Sequence, residues 1–112
     1  MSGVAQAGDD LQLLPVAGGF ALGGNLTLAQ VGPWRDRGRA ALAAAPSGAG
    51  ATLAISLAGV RRVDSAGLAL LVDWLAWARG ARRTLVFAAV PPALQALARL
   101  SGLEDLLAGQ AG

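Results

Sequence analysis

From Val63 to Trp77 the chain places an acid and a hydroxyl, Asp64-Ser65, ahead of a helix that is apolar almost all round. A helix of that character has to lie among other elements, because no side of it is fit for water alone. Its polar mouth admits three uses. Asp and Ser are good helix N-caps, since their side-chain oxygens accept backbone N–H groups that lack a helical partner. The same electropositive end can hold a phosphate or dock a polar group of another protein.

Along the rest of the chain, strand-like and helix-like segments alternate. Leu11–Val16 and Phe20–Leu22 flank Ala17-Gly18-Gly19 and read as a β-hairpin, with Gly23-Gly24-Asn25 breaking the pattern. Thr27, with Gln30 three residues on, fits a capping box for a helix carrying Leu28, Val31, Arg35, Gly38, Leu42 and Ala45 at helical spacing. Pro33 kinks that helix or restarts it in a first turn. Residues 46–50 form a loop. Thr52–Leu57 alternates large and small apolar residues, as suits a strand buried on one face and closely covered on the other. The central helix runs from about Ser65 to Gly80, a good C′ residue. Thr84–Ala88 is a strand, and Pro91-Pro92 opens a third helix with a buried stripe of Leu94, Leu97 and Leu100 or Ser101, stopped at Gly102. Leu103–Leu107 forms a terminal turn of helix. The order β-β-α-β-α-β-α predicts an α/β fold: a mixed sheet with a mainly parallel core, covered by helices. One domain over residues 11–107 is expected, with a flexible N-terminus at 1–10 and a flexible tail at 108–112.

Composition removes several functions. The chain has 112 residues, no cysteine and no histidine, which takes away thiolate metal sites, disulfides and the commonest general base. No cofactor and no metal is expected. Asp64 beside Ser65 has no histidine or lysine to activate a nucleophile, so no catalytic residue is assigned and an enzyme is not expected. All nine basic residues are arginine, including the cluster Arg35, Arg37, Arg39, but no aromatics interleave with them as a nucleic-acid surface would require. No apolar run is long enough to span a bilayer, and the N-terminus lacks the basic and apolar regions of a secretory signal, so a cytoplasmic protein is expected.

Projected as a helix, residues 66–79 separate into two stripes. Leu68, Leu71, Val72, Leu75 and Ala78 pack on the sheet. Leu70, Trp74 and Trp77, with Asp73 beside them, lie opposite. Two readings stay open for this second stripe: another helix or the C-terminal tail covers it, or it is a protein-docking surface rimmed by Asp73 and nearby arginines. A second copy of the chain is one possible partner.

The stretch Asp64-Ser65-Ala66-Gly67-Leu68 resembles the Asp-Ser-Ser-Gly-Leu signature of STAS domains, found in sulfate transporters and anti-sigma factor antagonists. The run Gly67-Leu68-Ala69-Leu70-Leu71 and the pair Pro33-Trp34 are most similar to the MlaB-like branch, the small cytoplasmic subunit of the Mla phospholipid ABC transporter. That resemblance implies a STAS fold and a non-enzymatic regulatory or assembly subunit. Its partner would be the transporter ATPase (MlaF-like), and through it the membrane permease (MlaE-like) at the inner membrane, in the service of outer-membrane lipid asymmetry. Carried over by position, the resemblance implies that Ser65 is the hydroxyl facing the ATPase and that Asp64 and Gly67 shape the loop, with Ala66 beside them in the docking surface. Anti-sigma factor antagonists of the family are phosphorylated at the second hydroxyl position. Ala66 occupies it here, leaving Ser65 as an atypical acceptor in that alternative.

Overall fold

The structure is a computed structural model and describes residues 10–45 and 52–108. The expected loop at 46–50, and the terminal segments apart from Asp10 and Ala108, lie outside the described residues. The elements are β1 (Gln12–Val16), β2 (Gly19–Leu26), α1 (Leu28–Val31), α2 (Trp34–Ala44), β3 (Thr52–Val63), α3 (Ser65–Gly80), β4 (Thr84–Ala88), α4 (Pro92–Leu100) and α5 (Glu104–Ala108). The sheet order is β1-β2-β3-β4, with β1 antiparallel to β2 and the other two pairs parallel. This is the expected mixed sheet with a parallel core.

The steps from β2 to β3 and from β3 to β4 run in the same direction across the sheet. Right-handed crossovers therefore place α1–α2 and α3 on one face. Leu22, Leu26, Ile55, Leu57 and Leu85 point into that face and are almost wholly buried, joining Leu71, Trp74 and Leu94 in a single cluster. The other face carries Ala21, Ala54, Ser56 and Val86, each only half-buried, so among the described residues it lacks the close covering expected from the small residues of β3. Pro15 sits in the edge strand β1, where its missing N–H faces away from the ladder and blunts the edge.

Several boundaries differ from the sequence reading, for local reasons. β2 does not stop at Gly23-Gly24-Asn25 but runs through to Leu26. Two register irregularities absorb the glycines, and Gly24 adopts φ 94° where a Cβ would run into the Asp10 carbonyl. β3 continues through Val60 to Val63, so the motif follows the strand directly. Pro33 restarts the first helix as the N-cap of α2. The left-handed residue ending α3 is Arg82 (φ 60°) and not Gly80. Arg83 N–H bonds to the Ala78 carbonyl (2.8 Å) and Arg82 N–H to that of Arg79 (3.1 Å), a Schellman closure. In α4 the buried residues are Leu94 and Ala98, with Leu97 half-buried. Leu100 and Ser101 are exposed, which corrects that end of the expected stripe.

Candidate functional site

The motif sits at the carboxyl ends of β2 and β3, where Leu26 pairs with Val63. The Asp64 N–H then bonds to the Leu26 carbonyl (3.2 Å), so the chain turns into α3 while still tied to β2. Asp64 has extended backbone angles (φ −141°, ψ −175°), as an N-cap requires. Its Oδ1 accepts from the Gly67 N–H at 3.1 Å, which caps α3. Its Oδ2 accepts from the Leu28 N–H at 3.0 Å, the first residue of α1.

One carboxylate therefore serves two helix starts. The expected capping box at Thr27 and Gln30 does not form: Thr27 makes no side-chain cap, and Gln30 Oε1 instead accepts from the Leu11 N–H (3.1 Å). The Leu28 N–H, helped by those of Gly67 and Ala66, holds the Asp64 carboxyl below its ordinary value of 3.8 against the opposing effect of burial. Gly67 is dictated by packing, because a Cβ there would overlap the carbonyl and side chain of Leu26.

Ser65 is the first residue of α3 and is exposed, and its hydroxyl makes no hydrogen bond among the described residues. Beside it a shallow groove runs between α3 and the α1–α2 junction. Val31, Gly32 and Arg35 line one wall, and Ala66, Ala69, Leu70 and Asp73 the other. Asp73 is held across the groove by Arg39, whose Nε lies 3.0 Å from Oδ2 and whose Nη2 lies 2.6 Å from Oδ1. Arg35 Nε approaches the same Oδ1 at 3.5 Å.

The second stripe of α3 requires correction. Leu70 is only 5% exposed and Trp74 is fully buried, covered by α2. The Trp74 indole lies so close to Gly38 that a Cβ at that position would overlap the ring. Trp77 is half-buried, with the Arg83 guanidinium 5.9 Å from its ring centre and Arg83 Nη1 donating to the Leu42 carbonyl (2.5 Å). The reading in which another helix covers the stripe is the correct one for Trp74, and Leu70 is buried beside it. Asp73 is an internal tie between helices before it is a rim residue.

Of the residues singled out from sequence, the structure brings Asp64, Ser65, Ala66 and Gly67 together at one helix mouth and places Asp73 in the adjoining groove. It removes Leu70 and Trp74 from any free helix face, although Leu70 still lines the groove. The sequence reading missed Val31, Gly32, Arg35 and Ala69 as parts of one surface. Their signal was present, as an arginine at helical spacing from Val31 and as the small residues of the motif run.

A family model described as "Mlab, STAS domain" matches residues 10–108, nearly the whole chain. The chain belongs to the MlaB-like STAS domain family. No curated protein matches it significantly. In this STAS domain the signature region occupies the carboxyl edge of the parallel strands, where open α/β sheets commonly bind their ligands. Among the described residues, no helix is long and apolar enough to cross a membrane.

Proposed function

We propose that this MlaB-like STAS domain is a non-enzymatic subunit that docks on the ATPase of a phospholipid-transporting ABC transporter of the Mla type. It acts at the cytoplasmic side of the inner membrane, reaches the permease only through that ATPase, and contributes to outer-membrane lipid asymmetry. One observation carries this reading: the motif divides into an inward and an outward half. Asp64 is consumed in capping α1 and α3. Ser65 and the groove beside it face outward on a rigid helix start.

A surface of this kind suits protein docking better than catalysis. The lowered pKa of Asp64 makes it a weak base, and its two oxygens are already engaged, so nothing there activates the Ser65 hydroxyl. The groove is shallow, partly apolar and bordered by charge, the pattern of a protein interface with a polar rim. Co-purification with the ATPase and permease subunits of the same organism's Mla-type transporter tests the reading. Wild type is expected to retain the ATPase, and Ser65→Arg to release it with an unchanged circular dichroism spectrum. Retention by a folded Ser65→Arg variant would overturn the proposal.

A second reading, an anti-sigma factor antagonist, draws support from the exposed Ser65 hydroxyl. Ala66, where the regulatory members carry the phosphorylated hydroxyl, weighs against it. Incubation with a cognate anti-sigma kinase and ATP is expected to leave the intact mass unchanged. One phosphate per chain on Ser65 would reverse the order of the two readings.

A further inference from the structure

We infer that the partner surface seated on the α3 groove presents an acidic side chain, and that Arg35 is the residue that receives it. This rests on the docking reading above and specifies the chemistry of the partner. Two guanidiniums and one carboxylate stand at the groove. Arg39 saturates Asp73 with two bonds, at 3.0 and 2.6 Å, and holds α2 to α3. Arg35 reaches the same carboxylate only at 3.5 Å, makes no hydrogen bond among the described residues, and has a side chain 66% exposed. One positive charge is therefore left over on the groove wall.

No other acid of the site offsets it. Asp64 faces the N–H groups of Leu28 and Gly67. Asp36, adjacent in sequence, points about 100° further round α2. Around Arg35 the groove is lined by Val31, Ala66, Ala69 and Leu70, which accept an aliphatic stem but offer nothing to a charge. A carboxylate on a short aliphatic side chain fits both features, and a guanidinium matches a carboxylate with two parallel N–H donors. Docking removes water from the pair and strengthens it relative to an exposed surface contact. An anionic membrane surface fits less well, because electrostatic adhesion to lipid needs several cations side by side, each adding only about 1 kcal/mol.

Titration calorimetry with the purified transporter ATPase subunit tests this directly. Arg35→Ala should weaken binding about threefold to fivefold, and Arg35→Glu at least about tenfold, with thermal midpoints unchanged because Arg35 is exposed. Raising sodium chloride from about 50 to about 500 mM should weaken wild type more than Arg35→Ala, since screening acts on the charge pair. An acid-to-arginine change in the ATPase should restore binding to Arg35→Glu. If wild type binds and Arg35→Glu binds equally well, the acidic anchor is wrong while the docking reading stands. If wild type does not bind the ATPase, both fall. If Arg35→Glu leaves ATPase binding intact but abolishes co-sedimentation with phosphatidylglycerol vesicles, the groove takes a lipid headgroup and the inference fails.

Discussion

Two strips lie side by side along α3 and meet different fates. Leu70 and Trp74 are buried, with Trp74 pressed onto Gly38 of α2. Ala66, Ala69 and Asp73, one step around the same helix, are left lining an open groove. The difference lies in side-chain size on both helices. A glycine at position 38 lets α2 approach over the large indole, whereas the two alanines are too short to reach Val31 and Arg35 on the facing wall. Close contact on one strip and a gap on the next thus come from a single helix pairing. The covered strip supplies stability, and the open one supplies a surface.

The largest effect should come from emptying the covered strip. Trp74→Ala is expected to destabilise the fold by about 3–5 kcal/mol, measured by urea denaturation. Trp74→Phe should cost less, because it keeps most of the ring and removes an indole N–H that is buried with no hydrogen-bond partner among the described residues. A Trp74→Ala variant of near wild-type stability would mean that α2 does not press on this strip.

Asp64 joins the two regions and should come next. Replacing it with Ala removes the caps of α1 and α3 together, about 2 kcal/mol against about 1 kcal/mol for a single cap. Its folded pKa lies below 3.8, so the unfolded chain binds the proton more readily. The stability it contributes is complete above the ordinary carboxylate range and is lost as pH falls through 3.8 and below. Denaturation midpoints of wild type should therefore drop across that window, and those of Asp64→Asn should drop less. Equal slopes would sever the link between this carboxylate and the two helix starts.

Ser65 should show the smallest effect on the fold. Because the capping is done by Asp64, Ser65→Ala is expected to change stability by less than about 0.5 kcal/mol. A loss of about 1 kcal/mol or more would assign Ser65 to the cap and blur the contrast between the inward and outward halves of the motif.

The sequence carried the element order, the parallel core and the helix mouth, because period and capping chemistry are local. It did not carry who covers whom. A helical projection places Leu70, Trp74 and Trp77 opposite the sheet-facing stripe, yet only the packing of α2 through Gly38 decides that Trp74 is core. The capping box at Thr27 and Gln30 is locally sound, but Asp64, 36 residues further on than Leu28, supplies the bond to the Leu28 N–H instead. Gly23-Gly24-Asn25 looked like an end to the strand because irregular pairing with β3, which carries β2 onward, is not visible in β2 alone. The groove went unread for the same reason. Its two walls, Val31–Arg35 and Ala66–Asp73, become neighbours only when α1 and α2 fold across α3.

On the docking reading, the small-residue strip of α3 binds a partner while contributing little to the fold. Ala69→Arg tests it most directly, since Ala69 is exposed and lines the groove. Calorimetric titration of this variant with the transporter ATPase subunit should show affinity reduced at least about tenfold. Its stability should stay within about 0.5 kcal/mol of wild type. Wild-type affinity in a folded Ala69→Arg protein would show that this strip is not the partner surface.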